Sequence, residues 1–321
     1  MMINKKILSN LILLVFSIVL FFVFGEVLSR IFIGDILIKQ FEDNGFYYYK
    51  PNQEGWYSAQ YGTKMEAKIN NIGARGDSVN IDFIKKNNKY VFLGDSFTFG
   101  WGLKDNETIS YYFKEFMDLD NSQVLNYAED GYGVKHMVES YKYYSEFFNK
   151  ENVIIMVIME HDFNRTIGLS NEISRDFLGG VKRHSSFINY LYEKIYFFLL
   201  KIEEQDFFLL QKLGGPYFNE EGEKELLEFR SILKENNQKF VIVFYEEEKY
   251  AKFSDDYPKR AGIFCEKNNI YCVTNISSII KNIDGNIGKY AVDGKHSSAY
   301  SNHKVAEEIA KFIIKNNISL S

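Results

Sequence analysis

From Lys89 onward, short uninterrupted apolar runs alternate with segments that repeat their apolar residues at helical spacing. The runs are Tyr90–Leu93, Val124–Tyr127, Val153–Met159, Phe240–Tyr245 and Ile270–Thr274. Runs that do not alternate with polar residues suit strands covered on both faces, as in a parallel sheet. Between and after them, Asn106–Met117, Val134–Phe148, Pro258–Lys267 and His303–Ile314 carry apolar residues three and four apart and predict helices. The alternation predicts an α/β sandwich with a mostly parallel sheet.

Two regions depart from this rhythm. Residues 26–87 are polar and aromatic with weak periodicity, including Phe46-Tyr47-Tyr48-Tyr49 and Trp56. They read as a lead-in or stalk segment packed on the main domain, because aromatics at this density pack rather than tether. Residues 170–235 read as a helical insertion, apolar through Ser186–Ile202 and Phe207–Leu213. A packed helical pair, a lid and a second membrane contact are all open to that apolar surface. Glu193, Lys194, Lys201, Glu203 and Glu204 argue against a second span.

The N-terminus differs again. Ile7–Gly25 holds no charge and is long enough to cross a hydrocarbon core about 30 Å thick. Lys5 and Lys6 precede it, which places the N-terminus in the cytoplasm by the positive-inside tendency. No small-residue cleavage pattern follows, since the chain continues Glu26-Val27-Leu28-Ser29-Arg30, and no cysteine lies near the end of the run for a lipoprotein anchor. The expectation is a retained signal anchor over 1–25, then the lead-in over 26–87, then an exported domain over 88–321 containing the insertion. In a bacterium this gives a single-pass protein of the cytoplasmic membrane with its domain outside.

Composition narrows the partners. A formal net charge of −5 over 321 residues, with Lys and Arg scattered, gives no basic footprint for nucleic acid. Two cysteines exclude a cysteine-rich zinc site, and no metal or other cofactor is expected. Cys265 and Cys272 fall at a helix end and in the next strand. Two buried free thiols are the expectation, with a disulfide conceivable outside the cytoplasm.

The candidate chemistry sits in two turns. Gly94-Asp95-Ser96-Phe97-Thr98-Phe99-Gly100 follows the first strand, and Asp293-Gly294-Lys295-His296 precedes the last helix. A serine at a strand-to-helix turn is exposed at the carboxyl edge of a sheet, beside backbone N–H groups able to hold an oxyanion. An Asp three residues before a His can fix the imidazole tautomer while the other nitrogen faces the serine. Each motif alone is a common turn; their placement at the first strand and the last helix gives them weight.

In this order the motifs resemble the SGNH, or GDSL-type, hydrolase superfamily, over roughly residues 88–315. The resemblance rests on Gly94-Asp95-Ser96 with its trailing Phe-Thr-Phe-Gly-Trp-Gly, Leu125–Gly133, the strand ending at Glu160-His161-Asp162, and Asp293–Ser298. It implies a three-layer flavodoxin-like fold, Ser96 as nucleophile, His296 as base and Asp293 as its orienter. The N–H groups of Ser96 and Gly131 would form the oxyanion hole. Asn71-Ile72-Gly73-Ala74-Arg75-Gly76 resembles a Gly-aromatic-Arg-Gly element of membrane-anchored members, with Ala in the aromatic position. One block departs: where the family carries Asn-Asp, this chain has His161-Asp162, so His161 becomes the expected third oxyanion donor and Asn164 the second choice.

The expected activity is therefore that of an extracytoplasmic serine esterase or O-acyltransferase. It would act on O-acyl esters, acetyl foremost, of a cell-envelope glycan through an acyl-serine intermediate, alongside partners in polysaccharide assembly. A non-catalytic glycan-binding or assembly protein that keeps the fold is the alternative from another class. A lipase-like esterase using the apolar insertion is a third.

Overall fold

The structure, a computed structural model, describes residues 5–41, 46–58, 65–165, 185–192, 194–195, 220–245, 257–285, 288, 290, 296–318 and 320. Most of the insertion expected over 170–235 lies outside these residues. A long helix, α1 (Lys5–Phe32), opens the chain. It continues past Gly25, the expected end of the anchor, to Phe32. The lead-in then forms two antiparallel pairs, β1 (Lys39–Phe41) with β2 (Tyr47–Tyr49) and β3 (Gln53–Ser58) with β4 (Met65–Ile69). A short helix, α2 (Ile81–Lys86), leads into the main sheet.

That sheet has five strands: β5 (Tyr90–Leu93), β6 (Val124–Asn126), β7 (Val153–Met159), β8 (Lys239–Tyr245) and β9 (Tyr271–Val273). Their order is β6-β5-β7-β8-β9 and every pair is parallel. Numbered along the sheet this is 2-1-3-4-5, the doubly wound flavodoxin-like order. The strands β5 and β7 are apolar and buried throughout because successive side chains enter opposite cores. On one face Val91, Ile154, Met156, Ile158 and Ile242 meet α5 (Val134–Tyr143), α6 (Glu220–Glu235) and α7 (Tyr257–Asn268). On the other, Tyr90, Phe92, Ile155, Val157 and Val243 meet α4 (Ile109–Phe116), α8 (Ile276–Lys281) and α9 (Ala299–Lys315). All seven residues of β7 are buried, which is what its central place requires. The expected three-layer α/β fold is present, although α5 stops at Tyr143 and only a single 3₁₀ turn, Ser145–Phe147, follows it.

The lead-in is tied to both ends of the molecule. Backbone bridges Ile69–Arg75 and Arg75–Asn126 attach the β3–β4 hairpin beside β6, covering that edge of the sheet. Trp56 on β3 is fully buried, and its Nε1 donates to the Gly34 carbonyl at 3.0 Å, just beyond α1.

The two cysteines correct the expectation of free thiols. Cys265 on α7 and Cys272 on β9 form a disulfide, with Cα atoms 6.2 Å apart. The parallel pairing of β9 with β8 returns the chain beneath the helix it has just left, bringing both residues within bonding range.

Candidate active site

Ser96 lies at the carboxyl end of β5, the strand from which the sheet order runs in both directions. Crevices in open α/β sheets form at such switch points. The four-residue helix α3 (Ser96–Phe99) begins with the serine itself. Asp95 caps it, its Oδ1 accepting from the Phe97 N–H at 3.0 Å. Gly94 has no room for a side chain, because a Cβ there would stand 2.2 Å from Thr98 Oγ1. At the other end Gly100 takes a left-handed conformation, φ +91°.

His296 reaches this serine from the far end of the chain. Its Nε2 lies 2.9 Å from Ser96 Oγ, and its ring packs beside Phe97 and Trp101 at centroid distances of 5.0 and 5.6 Å. The next two residues fix the loop. Ser297 Oγ bonds the Tyr245 hydroxyl at 2.9 Å, and Ser298 Oγ caps α9 by accepting from the Ser301 N–H at 3.0 Å. Asp293, the expected orienter, lies outside the described residues. The structure thus joins two of the three expected triad members.

The expected oxyanion loop stands beside the Ser96 turn. Glu129 N–H donates to the Gly94 carbonyl at 3.2 Å, and Gly131 follows two residues later with φ +83°. The β1–β2 hairpin clamps this loop from outside. The Tyr47 hydroxyl donates to the Asp130 carbonyl, and a Cβ on Gly131 would stand 2.8 Å from that hydroxyl oxygen. Lys39 completes the clamp, its Nζ 3.3 Å from Asp130 Oδ2 and 3.7 Å from Glu129 Oε2. Burial is the main force raising the Glu129 carboxyl to about 8, against the opposing charge of Lys39.

Behind the serine lies a buried polar group that sequence patterning does not reveal. Arg165 Nη1 is 3.2 Å from Asp95 Oδ2, 2.9 Å from Asp162 Oδ1 and 2.8 Å from the Tyr132 carbonyl. Burial pushes the Asp95 carboxyl up, but the facing His161 and Arg165 outweigh it and hold it below its ordinary value. Burial and the Asp95 charge push Asp162 well up. His161 Nε2 faces the same carboxylates, 3.7 Å from Asp95 Oδ2 and 3.8 Å from Asp162 Oδ1. Burial pulls its pKa below the usual imidazole value, so the ring is neutral at pH 7 and carries a single N–H. Asn164 falls in the 3₁₀ turn Glu160–Asn164, and its side chain lies outside the described residues.

Asp95, His161 and Asp162 bring one ligand atom each within 4.8 Å of one another. The Arg165 guanidinium already supplies the positive charge there, bonded to both carboxylates.

Arg75, from the Gly-Ala-Arg-Gly element, works on the opposite end of α3. Its guanidinium donates to the carbonyls of Phe99, Gly100 and Leu103 and pairs with Asp105 Oδ1 at 2.8 Å. It lies over the Phe99 ring, 4.6 Å from its centroid. The motif was visible in the sequence, but its target was not.

No protein-family model matches the chain, and no curated protein matches it. Solved structures to which the chain shows similarity include a member of the lipolytic protein G-D-S-L family from Veillonella parvula DSM 2008. It is 11% identical, with 70% of this chain and 96% of that one covered and a TM-score of 0.41. The protein named TesA is 10% identical over 70% of this chain and 98% of its own, with a TM-score of 0.45. A GDSL-like lipase from Bacteroides thetaiotaomicron VPI-5482 is 13% identical over 73% and 89%, with a TM-score of 0.37.

Proposed function

We propose that the chain is a membrane-anchored serine ester hydrolase or O-acyltransferase of the SGNH type. Its substrates would be O-acyl groups, acetyl foremost, on a glycan of the cell envelope. The observation that carries the reading is the 2.9 Å contact between His296 Nε2 and Ser96 Oγ across 200 residues of chain. A serine hydroxyl is a weak nucleophile until a base receives its proton, and this contact supplies the base.

In the proposed cycle His296 accepts the Ser96 proton as Oγ attacks the ester carbonyl. The Ser96 and Gly131 N–H groups hold the oxyanion, and His161 faces the carboxylates behind the turn. His296 then returns its proton to the leaving alcohol, giving an acyl-Ser96 ester. Water or a sugar hydroxyl attacks that ester with His296 again as base, and Ser96 is released. Asp293 is proposed as the residue that orients His296.

Two features support a location outside the cytoplasm. A disulfide persists in oxidising compartments. The uncharged run that opens α1 has the length of a membrane span, and Trp56 Nε1 donates to the Gly34 carbonyl just beyond that helix.

The test compares the full chain in detergent with Ser96→Ala on p-nitrophenyl acetate and on O-acetylated glycans, with mass spectrometry of the protein after a short exposure. The expected result is loss of at least about 10³-fold in rate for Ser96→Ala and an acyl adduct on Ser96. Equal rates for the two proteins would sink the enzyme reading.

A further inference from the structure

The helical residues 186–192 and 194–195 have their polarity reversed for a protein surrounded by water. Ser186 and Asn189 face inward and are 0% and 3% exposed, whereas Leu191, Tyr192 and Ile195 are 42%, 38% and 52% exposed. Ile188, Leu191, Tyr192 and Ile195 follow i, i+3, i+4, i+7 spacing, so they form one apolar stripe. The inward polar side is satisfied by the domain: Ser186 Oγ donates to the Gly34 carbonyl at 2.7 Å and accepts from Trp56 Nε1 at 3.1 Å. On the outward side Leu191 and Ile195 remain exposed and Ile188 is half-buried.

The helix starts at the foot of α1. The Glu26 carboxylate caps it, accepting from the N–H groups of Ser186 and Phe187 at 3.1 and 3.0 Å and from Ser185 Oγ at 2.6 Å. The Phe187 ring packs on Phe21 and Phe22 at centroid distances of 5.7 and 6.2 Å. It lies so close to Gly25 that a Cβ there would stand 2.8 Å from the ring. Phe21, Phe22 and Gly25 belong to the uncharged run, so the helix begins level with the final turns of the span.

We propose that this helix is seated in the interfacial layer of the bilayer that α1 crosses, with its apolar stripe towards the lipid. The proposal rests on the reading of α1 as a membrane anchor. Lipid is the occupant because the stripe begins at the span itself. The neighbouring side chains are also those of the headgroup region: Tyr190 and Tyr192 are aromatic and polar-tipped, and Lys194 Nζ lies over the Tyr190 ring at 5.2 Å. Helices of this kind bury their apolar face about 5–10 Å into the headgroup and acyl boundary. Span and surface helix together hold the domain at two points.

The test uses the full chain in vesicles of phosphatidylcholine and phosphatidylglycerol. Cys265 and Cys272 are joined, so an introduced cysteine is the only thiol available to an environment-sensitive fluorophore. Leu191→Cys and Ile195→Cys probe the stripe, Val15→Cys probes the centre of α1, and Lys224→Cys on the exposed side of α6 reports water. The expected result is blue-shifted emission at 191 and 195, quenched more by lipids with the quencher near the headgroup than in mid-chain. Position 15 shows the reverse order and position 224 no lipid quenching. A lipid-quenched probe at 15 with water-like emission at both 191 and 195 overturns the proposal and leaves the anchor standing. Water-like emission at 15 overturns the anchor and the surface helix together.

Discussion

The Arg75 guanidinium donates to the Gly100 carbonyl at 2.8 Å, closing the end of the short helix that Ser96 opens. The last carbonyls of a helix have no partner within it, and a cation at that end is favourable. Here one side chain serves three carbonyls while Asp105 balances its charge.

Replacing Arg75 with Ala removes its bonds to the Phe99 and Leu103 carbonyls, leaves Gly100 only the Leu103 N–H and takes the cation from Asp105. Loss of a buried ionic partner costs about 3–5 kcal/mol, and that is the expected fall in unfolding free energy by urea titration. Arg75→Lys is expected to recover only part of it, because an ammonium cannot reproduce the planar fork. Esterase kcat, measured well below the unfolding midpoint, is expected to fall in both variants as the nucleophile turn loosens.

His161 stands in the block where an oxyanion donor is expected, yet its Nε2 faces Asp95 and Asp162. Removing a true oxyanion donor lowers kcat by about 10²–10³-fold. For His161→Ala we expect less than about tenfold, given that a neutral imidazole offers one N–H and the carboxylates face Nε2. A fall of the full donor size would instead place His161 at the oxyanion.

Stability should decline towards alkaline pH through Glu129. Its folded value is about 8 against an ordinary 4.5, so between these the folded protein keeps a proton that the unfolded chain has released. That stabilisation is complete below 4.5 and lost as pH rises through 8. His136 has the opposite sign: burial takes it from 6.5 to about 4, so its contribution is full above 6.5 and is lost as pH falls towards 4. Between pH 6.5 and 8 the Glu129 slope stands alone of the two, up to about 1.4 kcal/mol per pH unit. Urea titrations across that window should show it, and Glu129→Gln should flatten it.

The Cys265–Cys272 bridge closes a short loop with a sequence separation of 7. Chain-entropy reasoning gives it about 2.5 kcal/mol, the low end of the usual range. Cys265→Ser/Cys272→Ser should lower the thermal midpoint accordingly and remove the effect of added dithiothreitol. An unchanged midpoint in reductant would show that the bridge contributes nothing.

The sheet was readable in advance because strands buried on both faces must be apolar at every position, and Val153–Met159 is apolar at all seven. The serine and histidine turns were readable because they flank the first strand and the last helix. Arg165 was not: its partners Asp95 and the Tyr132 carbonyl lie 70 and 33 residues away, and only the fold brings them together. The cysteine pair shows another limit. Helix end and following strand admit a bridge as well as the two thiols expected, and the register of β9 against β8 brings the pair into bonding range. Clamping of the Glu129–Gly131 loop by Lys39 and Tyr47 depends likewise on a hairpin whose weak periodicity announced no partner.

Trp56 has a consequence beyond stability. Its indole meets both the Gly34 carbonyl, where α1 has just ended, and Ser186 Oγ, where the surface helix begins. A residue so placed acts as a keystone, and the domain then cannot swing on α1 as on a string. On the proposed anchor this makes the domain a fixed bracket, which would confine the proposed ester chemistry to one height above the bilayer. Lengthening the chain after Phe32 would not extend the reach unless it also dislodged that indole.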